Sequence, residues 1–186
     1  FTTIKKIFNN YGMTIFDVDE LSTHGGSLRI YVKNKVSLKN NISFRVKKVL
    51  DKERKEKLNS INGYKNFQKE INLIKKNALF FLNNQKNKGK KIIAFGAAHK
   101  ASTFLNFCKI NTNLISHVVD DTKIKIGKFM PVSRIPVVDE KFILKHKPDL
   151  IVILVWNLKK EVIKKLKYIK KWKGKFVTFI PKLEVH

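Results

Sequence analysis

The stretch with the clearest chemical potential is IIAFGAAHKASTFLNFC, residues 92–108. An apolar run reaches a glycine and two alanines before a second apolar run begins, which predicts a strand, a tight turn and a helix. A helix that opens directly after a strand presents free backbone N–H groups and a partial positive charge, and both bind phosphate. The turn also offers small residues for close approach, a lysine and two hydroxyl groups. These candidate binding residues are Gly96, Ala97, Lys100, Ser102 and Thr103.

This turn departs from both standard phosphate-binding motifs. Ala94 stands where the first glycine of G-x-G-x-x-G would be, and the later glycines are missing as well. Ala101 follows Lys100, so the G-K-[ST] sequence is also incomplete. The spacing alone therefore leaves two interpretations open: a ligand-binding turn, or a tight turn between a strand and a helix.

Other candidate residues follow neighbouring buried strands. Asp120 and Asp121 end the run SHVVDD, where a ribose-binding acid would fall, although carboxylates at strand ends also serve as caps. Trp156 and Asn157 follow a fully apolar run, and they can either stack on and hydrogen-bond a ligand or close the core. In a parallel sheet these carboxyl ends share one edge with Gly96.

A histidine precedes two glycines in THGGSLR, between two predicted strands. His24 is either part of a tight turn that needs unusual backbone angles or a ligand-contacting residue. The other four histidines show no partners in the sequence and are predicted to lie on the surface. They are His99, His117, His146 and His186.

Three segments must position these residues. Residues 1–40 are predicted to form a helix and two antiparallel strands that complete a sheet begun elsewhere. Residues 41–88 are predicted to be helical, broken at Asn62–Gly63, with one apolar stripe that belongs to the core. The stripe consists of Tyr64, Phe67, Ile71, Ile74, Ala78 and Phe81. In residues 89–186 strands alternate with helices, which predicts an α/β, Rossmann-like, mostly parallel sheet with flanking helices.

Composition restricts the function further. The net charge is +26, but only four of the 40 basic residues are arginine, the residue expected for bidentate phosphate and base contacts. We therefore expect no nucleic-acid partner. No apolar run reaches the ~20 residues of a membrane helix, and Cys108 as the one cysteine allows neither an internal disulfide nor a cysteine-rich zinc site. We expect no membrane, no metal in this chain and a cytoplasmic location. Phe1 lies inside a predicted helix, so we expect the chain to begin in mid-protein.

Two stretches taken together are similar to a known family. DVDELSTHGGSLRIYV and IIAFGAAHKASTFLNFC, followed by VVDDTKIKIGKFMPVSRIPVV and PDLIVILVWN, resemble the SAM-dependent sugar C-methyltransferases. The resemblance covers essentially the whole chain. It departs from the family pattern at three places: Ala94 replaces a glycine, His99 a small residue, and Ala101–Ser102 the pair Gly–Asn.

The resemblance implies an activity and a division of labour. Family members methylate the 3-position of a nucleotide-linked keto-deoxysugar in deoxysugar biosynthesis, by deprotonating the carbon beside the keto group so that the enolate attacks the SAM methyl group. Residues 1–40 would be the tail of the SAM-binding domain and residues 89–186 the C-terminal domain. The zinc module, the SAM motif and the catalytic Tyr-x-Glu-His stretch would precede Phe1, so this chain is expected to hold no catalytic base and to be inactive alone.

The resemblance also implies which residues meet the nucleotide-diphosphate sugar. We expect one wall of the substrate cleft to carry Gly96, Ala97, Lys100, Ser102, Thr103, Asp120, Trp156 and Asn157, and the other wall to carry His24 and Arg29. SAM would bind mostly outside this chain. The alternatives are a stand-alone nucleotide- or dinucleotide-binding module and, with less support, a basic nucleic-acid-binding protein.

Overall fold

The computed structural model describes residues 1–37 and 41–186. The chain divides into two compact units, Phe1–Lys69 and Glu70–His186. The boundary falls close to the start of a long helix, whereas the sequence predicts boundaries after residues 40 and 88. The first of these predicted boundaries lies outside the described residues, and both stay predictions.

The first unit is a helix followed by a two-stranded antiparallel sheet and a second helix. Helix α1 spans Thr2–Asn10, strand β1 Met13–Leu21, strand β2 Ser27–Asn34 and helix α2 Phe44–Lys55. Gly12, with φ +69°, ends the first helix at the position predicted from the sequence. The predicted order of helix, strand, turn and strand is therefore confirmed for this segment.

The core of the first unit is small. Ile15 and Val18 of β1 pack with Val46 and Val49 of α2, all four being buried. Outside this core, the guanidinium group of Arg45 donates hydrogen bonds to the carboxylates of Asp17 and Asp19. Together the apolar contact and the ion pairs join α2 to β1.

The second unit consists of helices and strands that alternate along the chain. Its elements, in order, are α3 Phe67–Asn87, which begins three residues before the unit boundary, β3 Ile92–Phe95, α4 His99–Cys108, β4 Val118–Val119, β5 Val137–Val138, α5 Lys141–His146, β6 Leu150–Ile153, α6 Lys159–Lys165, β7 Lys175–Thr178 and β8 Glu184–Val185. The strands form one sheet in the order β5-β4-β3-β6-β7-β8. All neighbouring pairs are parallel except β7 and β8. The predicted α/β, mostly parallel sheet with flanking helices is confirmed.

The sheet is buried on both faces, because alternate residues of each strand point to opposite sides. Ile92 and Ala94 belong to the apolar cluster beneath α3 and α4, while Ile93 and Phe95 belong to the cluster beneath α5 and α6. This arrangement explains why β3 and β6 read as continuous apolar runs rather than as alternating patterns.

The structure differs from the sequence prediction at several elements. Helix α6 ends at Lys165 and continues as a 3-10 segment, Lys167–Trp172, and the short antiparallel strand β8 was not predicted. The predicted core stripe is only partly correct: Ala78 of α3 is buried, but the side chains of Phe67 at the start of α3 and of Tyr64, in the 3-10 segment before it, are mostly exposed. Spacing alone cannot tell a covered helix face from an uncovered one.

Candidate functional site

The turn between β3 and α4 depends on a glycine. Gly96 has φ +99°, a backbone conformation that residues with a side chain rarely adopt. A β-carbon added at Gly96 would lie 2.7 Å and 2.8 Å from the two γ-carbons of Val155, closer than side-chain atoms approach. The backbone angle and the packing against Val155 are thus sufficient reasons for the glycine, whether or not the turn binds a ligand.

Asp120 fixes the same turn from the neighbouring strand. Its Oδ2 accepts a hydrogen bond of 2.7 Å from the backbone N–H of Ala97, and its Oδ1 accepts one of 2.8 Å from the N–H of Thr122. The Lys125 ammonium lies 3.5 Å from Oδ1. Burial by itself would raise the pKa of Asp120, but the hydrogen bonds from Thr122 and Ala97 outweigh it and hold the pKa below its ordinary value. Because both oxygens accept backbone N–H groups, the carboxylate acts here as a brace of the turn.

A lysine connects the turn to the loop that follows β6. The Nζ of Lys100 donates a hydrogen bond to Oδ1 of Asn157 and lies 5.2 Å from the ring centroid of Trp156. Trp156 and Asn157 belong to a 3-10 segment, Trp156–Leu158, rather than to the end of the strand itself. The expectation that these three residues lie together is consistent with this geometry, and the cation–π contact sets the direction of the lysine side chain.

The two candidate hydroxyl groups differ in position. Thr103 is exposed, and its hydroxyl donates to the carbonyl oxygen of His99 one turn earlier in α4. Ser102 is half-buried and lines a cleft of about 360 Å³ beside the turn, called the turn cleft below. Its other lining residues are Ala97, Ala98, His99, Lys125, Lys128, Phe129, Met130, Pro131 and Val137.

The second wall of the turn cleft comes from a segment whose residues the sequence did not indicate as binding residues. Phe129 and Pro136 form an isolated bridge, and the N–H of Met130 donates to the carbonyl of Ile135 over 2.8 Å, so residues 128–137 fold back on themselves. Phe129 is 58% exposed, with the guanidinium group of Arg134 5.7 Å from its ring centroid. The feature of the sequence that could have indicated this wall is the stretch KIKIGKF, in which lysines alternate with apolar residues ahead of Phe129.

His24 and Arg29 lie in the first compact unit. His24 has φ +55° in the turn between β1 and β2 and is exposed, and Arg29 is exposed opposite Asp19 in the strand register. The positive φ of His24 therefore supports its interpretation as part of a tight turn. The role of both residues in substrate binding stays a prediction.

The histidine prediction is wrong for His117. Its ring is partly buried and packs against Phe142 with a centroid distance of 4.1 Å. Among residues 1–37 and 41–186, no group of three or more His, Cys, Asp or Glu side chains is arranged to hold a metal ion. Within the same residues, no helix has both the length and the apolar content needed to cross a membrane.

Comparison with known proteins identifies the family. Residues 22–181 match the family model of the C-methyltransferase C-terminal domain. The chain belongs to this family. The C-methyltransferase domain is also 26% identical over 179 residues to the C-methyltransferase NovU of Streptomyces niveus. This alignment covers 96% of the present chain and 42% of that protein, so the chain spans less than half the length of the relative it matches.

Proposed function

We propose that this chain is the C-terminal part of a SAM-dependent C-methyltransferase whose substrate is a nucleotide-linked keto-deoxysugar. In this proposal the second unit holds the nucleotide diphosphate of the substrate at the β3–α4 turn and in the adjoining turn cleft. The catalytic base and most of the SAM site belong to other parts of the protein. The chain by itself is expected to bind substrate without methylating it.

The observation that carries the proposal is that the loops at the carboxyl ends of β4 and β6 both contact the β3–α4 turn. Asp120 braces Ala97 from the end of β4, and Asn157 binds Lys100 from the loop after β6. Parallel α/β sheets bind ligands at this edge. The turn cleft beside it carries Lys125 and Lys128. Cations, a helix N-terminus and an exposed aromatic ring are suited to the phosphates and the base of a nucleotide.

The same residues do not fit SAM or a dinucleotide bound in the usual Rossmann manner. The carboxylate of Asp120, in the position of a ribose-binding acid, already accepts the N–H groups of Ala97 and Thr122. Gly96 is packed against Val155. We therefore assign no step of methyl transfer to these residues. Their proposed contribution is to orient the diphosphate and to keep water away from the reacting sugar, which enolate chemistry requires.

Isothermal titration calorimetry of the chain with a thymidine-diphosphate sugar and with thymidine diphosphate tests this proposal. We expect both ligands to bind, and the Lys128→Ala variant to bind each of them about tenfold more weakly because it loses a phosphate contact. Lys164→Ala is the matched control: it removes one exposed lysine from α6, and its affinity should stay within about twofold.

Two outcomes would contradict the proposal. One is the absence of binding heat up to millimolar ligand while the far-ultraviolet circular dichroism spectrum is that of the folded chain. The other is an equal loss of affinity in Lys128→Ala and Lys164→Ala, which would mean that the high net charge attracts the ligand without a site.

A further inference from the structure

A second cleft lies at the opposite edge of the same sheet. It has a volume of about 470 Å³ and adjoins the amino ends of β3, β4 and β6. Its lining residues include Lys86, Lys91, His117, Phe142 and His146, and we call the space they line the amino-end cleft. The proposed function makes no use of this cleft, since substrate binding is assigned to the carboxyl ends of the strands.

The amino-end cleft contains three aromatic rings in contact with one another. The ring centroid of Phe142 lies 4.1 Å from that of His117, with the two planes tilted by 37°, and 3.8 Å from that of His146, on which it stacks. Nδ1 of His146 is 3.0 Å from the carbonyl oxygen of Phe142, within hydrogen-bond distance. The contacts with Phe142 hold both imidazole rings in defined positions, which is the preorganisation that a binding site needs.

His117 lacks a hydrogen-bond partner. Its Nδ1 is buried and unpaired, and the described residues form no hydrogen bond to Nε2 either. Unlike Nδ1, Nε2 is not buried, so it is the ring nitrogen that a ligand can reach. A ligand in the cleft can therefore accept a hydrogen bond from Nε2, while Nδ1 stays buried beneath the ring.

The charge of the cleft is positive. Lys86 from the end of α3 and Lys91 beside β3 line it, and neither side chain forms an ion pair with the described residues. The nearby acid, Asp149, accepts hydrogen bonds from the Nζ of Lys90 (2.9 Å) and the backbone N–H of Lys91 (2.8 Å). A neighbouring depression that shares Phe142 and His146 adds Lys141, Lys145 and Asp139. The lysines thus outnumber the acids around the rings.

We propose that the amino-end cleft binds a phosphate-bearing small molecule. Lys86 and Lys91 neutralise the phosphate, Nε2 of His117 donates a hydrogen bond to it, and the imidazole of His146 lines the same space. A volume of about 470 Å³ suits a small ligand rather than a polymer. Two ammonium groups and an imidazole nitrogen lining one cleft are the chemistry that recognises phosphate oxygens.

The proposal predicts a dependence on pH. Burial, with a smaller effect of the nearby His146, holds the pKa of His117 below its ordinary value, so the ring is neutral at pH 7. A bound phosphate favours the charged imidazole and raises this pKa. By linkage, affinity must then increase as the pH falls from 7.5 to 5.5. The other charged groups around the rings are Lys86, Lys90, Lys91, Lys141, Lys145, Asp139 and Asp149.

Nuclear magnetic resonance of the imidazole C–H signals tests the site directly. Inorganic pyrophosphate and adenosine diphosphate are each titrated into the chain at 150 mM NaCl, at pH 7.5 and pH 5.5. We expect saturable shifts of the His117 and His146 signals with both probes and tighter binding at pH 5.5. If the site takes nucleotides rather than free phosphates, adenosine diphosphate binds more tightly than pyrophosphate.

Matched variants separate this site from general charge attraction. The double variant Lys86→Ala/Lys91→Ala should weaken binding at least tenfold. The double variant Lys160→Ala/Lys164→Ala removes the same charge from exposed positions on α6 and should change affinity less than twofold. Lys128→Ala, at the turn cleft, should leave the His117 shift unchanged. The dispersion of the amide signals shows in each case that the variant is folded.

Several results would overturn the proposal. Equal weakening in the two double variants means that the anion is attracted by net charge alone. Shifts that spare His117 and His146 mean that it binds elsewhere. Tighter binding of a single-stranded DNA oligonucleotide than of either small probe, with the same loss in Lys86→Ala/Lys91→Ala, assigns the surface to nucleic acid instead.

Discussion

The contact between Gly96 and Val155 allows a quantitative test of the β3–α4 turn. In Gly96→Ala, the new methyl group would lie 2.7 Å and 2.8 Å from the γ-carbons of Val155, and alanine would have to adopt φ +99°. Overpacking of a core is destabilising by about 1–3 kcal/mol, and a strained backbone angle by about 1–3 kcal/mol. We expect the free energy of unfolding to fall by roughly 2–6 kcal/mol.

A second substitution separates the two causes. Val155→Ala removes both γ-carbons and alone should be destabilising by roughly 2 kcal/mol, between the usual values for Ile→Val and Leu→Ala. In the double variant the steric contact is absent and only the backbone strain remains. The two effects should therefore be less than additive, with a coupling energy of about 1–3 kcal/mol.

Urea denaturation followed by tryptophan fluorescence measures these unfolding free energies in the compact unit that contains Gly96 and Val155. Both tryptophans of the chain, Trp156 and Trp172, lie in Glu70–His186, so the signal reports on that unit alone. Strictly additive losses would refute the contact with Val155. A Gly96→Ala variant as stable as the parent chain would refute both the contact and the positive φ.

Three further predictions concern individual side chains. Asp120→Asn should lower stability at pH 7 by about 1–3 kcal/mol because a backbone N–H loses its acceptor. The pKa of Asp120 is lowered in the folded state, so its contribution is present above pH 3.8 and is lost as the pH falls through the folded-state pKa. In urea denaturation, the difference in stability between the parent chain and the variant should therefore be full at pH 7 and shrink progressively as the pH is lowered below 3.8. Burial raises the pKa of the Cys108 thiol to about 11, so we expect Ellman's reagent at pH 8 to react with it only after urea unfolds the chain. Rapid reaction of the folded chain would contradict the burial of this thiol. Lys100→Met removes the ammonium group from the face of Trp156 and should change the fluorescence emission spectrum of the chain. Lys109→Met, the same change at an exposed residue at the end of α4, should leave the spectrum unchanged. Identical spectra for both variants and the parent chain would argue against the cation–π contact.

The turn at Gly96 illustrates how far the sequence can be taken. The apolar run, the glycine and the following helix pattern were sufficient to predict a strand, a turn and a helix in the correct places. The identity of Val155 as the residue that excludes a side chain at Gly96 was not predictable, since the two are separated along the chain and meet only through the pairing of β3 with β6.

Asp120 shows the same limit for function. Its place at the end of a strand favoured either a ribose contact or a cap, and the sequence could not decide between them. In the structure its carboxylate stabilises the β3–α4 turn, because strand pairing brings it to the N–H of Ala97, 23 residues earlier. The surface prediction for His117 is wrong for a related reason: the residue that packs against it, Phe142, belongs to helix α5, 25 residues later in the chain.

By itself, the sequence determined the order of most helices and strands and the mostly parallel sheet, because periodicity and turn residues act between neighbours in the chain. The family was indicated by the resemblance of whole motifs and not by this local pattern. Only the tertiary structure decided which polar groups meet. Lys100 and Asn157 are 57 residues apart, and their contact exists because two strand ends lie side by side in one sheet. Hydrogen bonds and packing act over a few ångströms, so they are decided by strand order, which the local pattern does not contain.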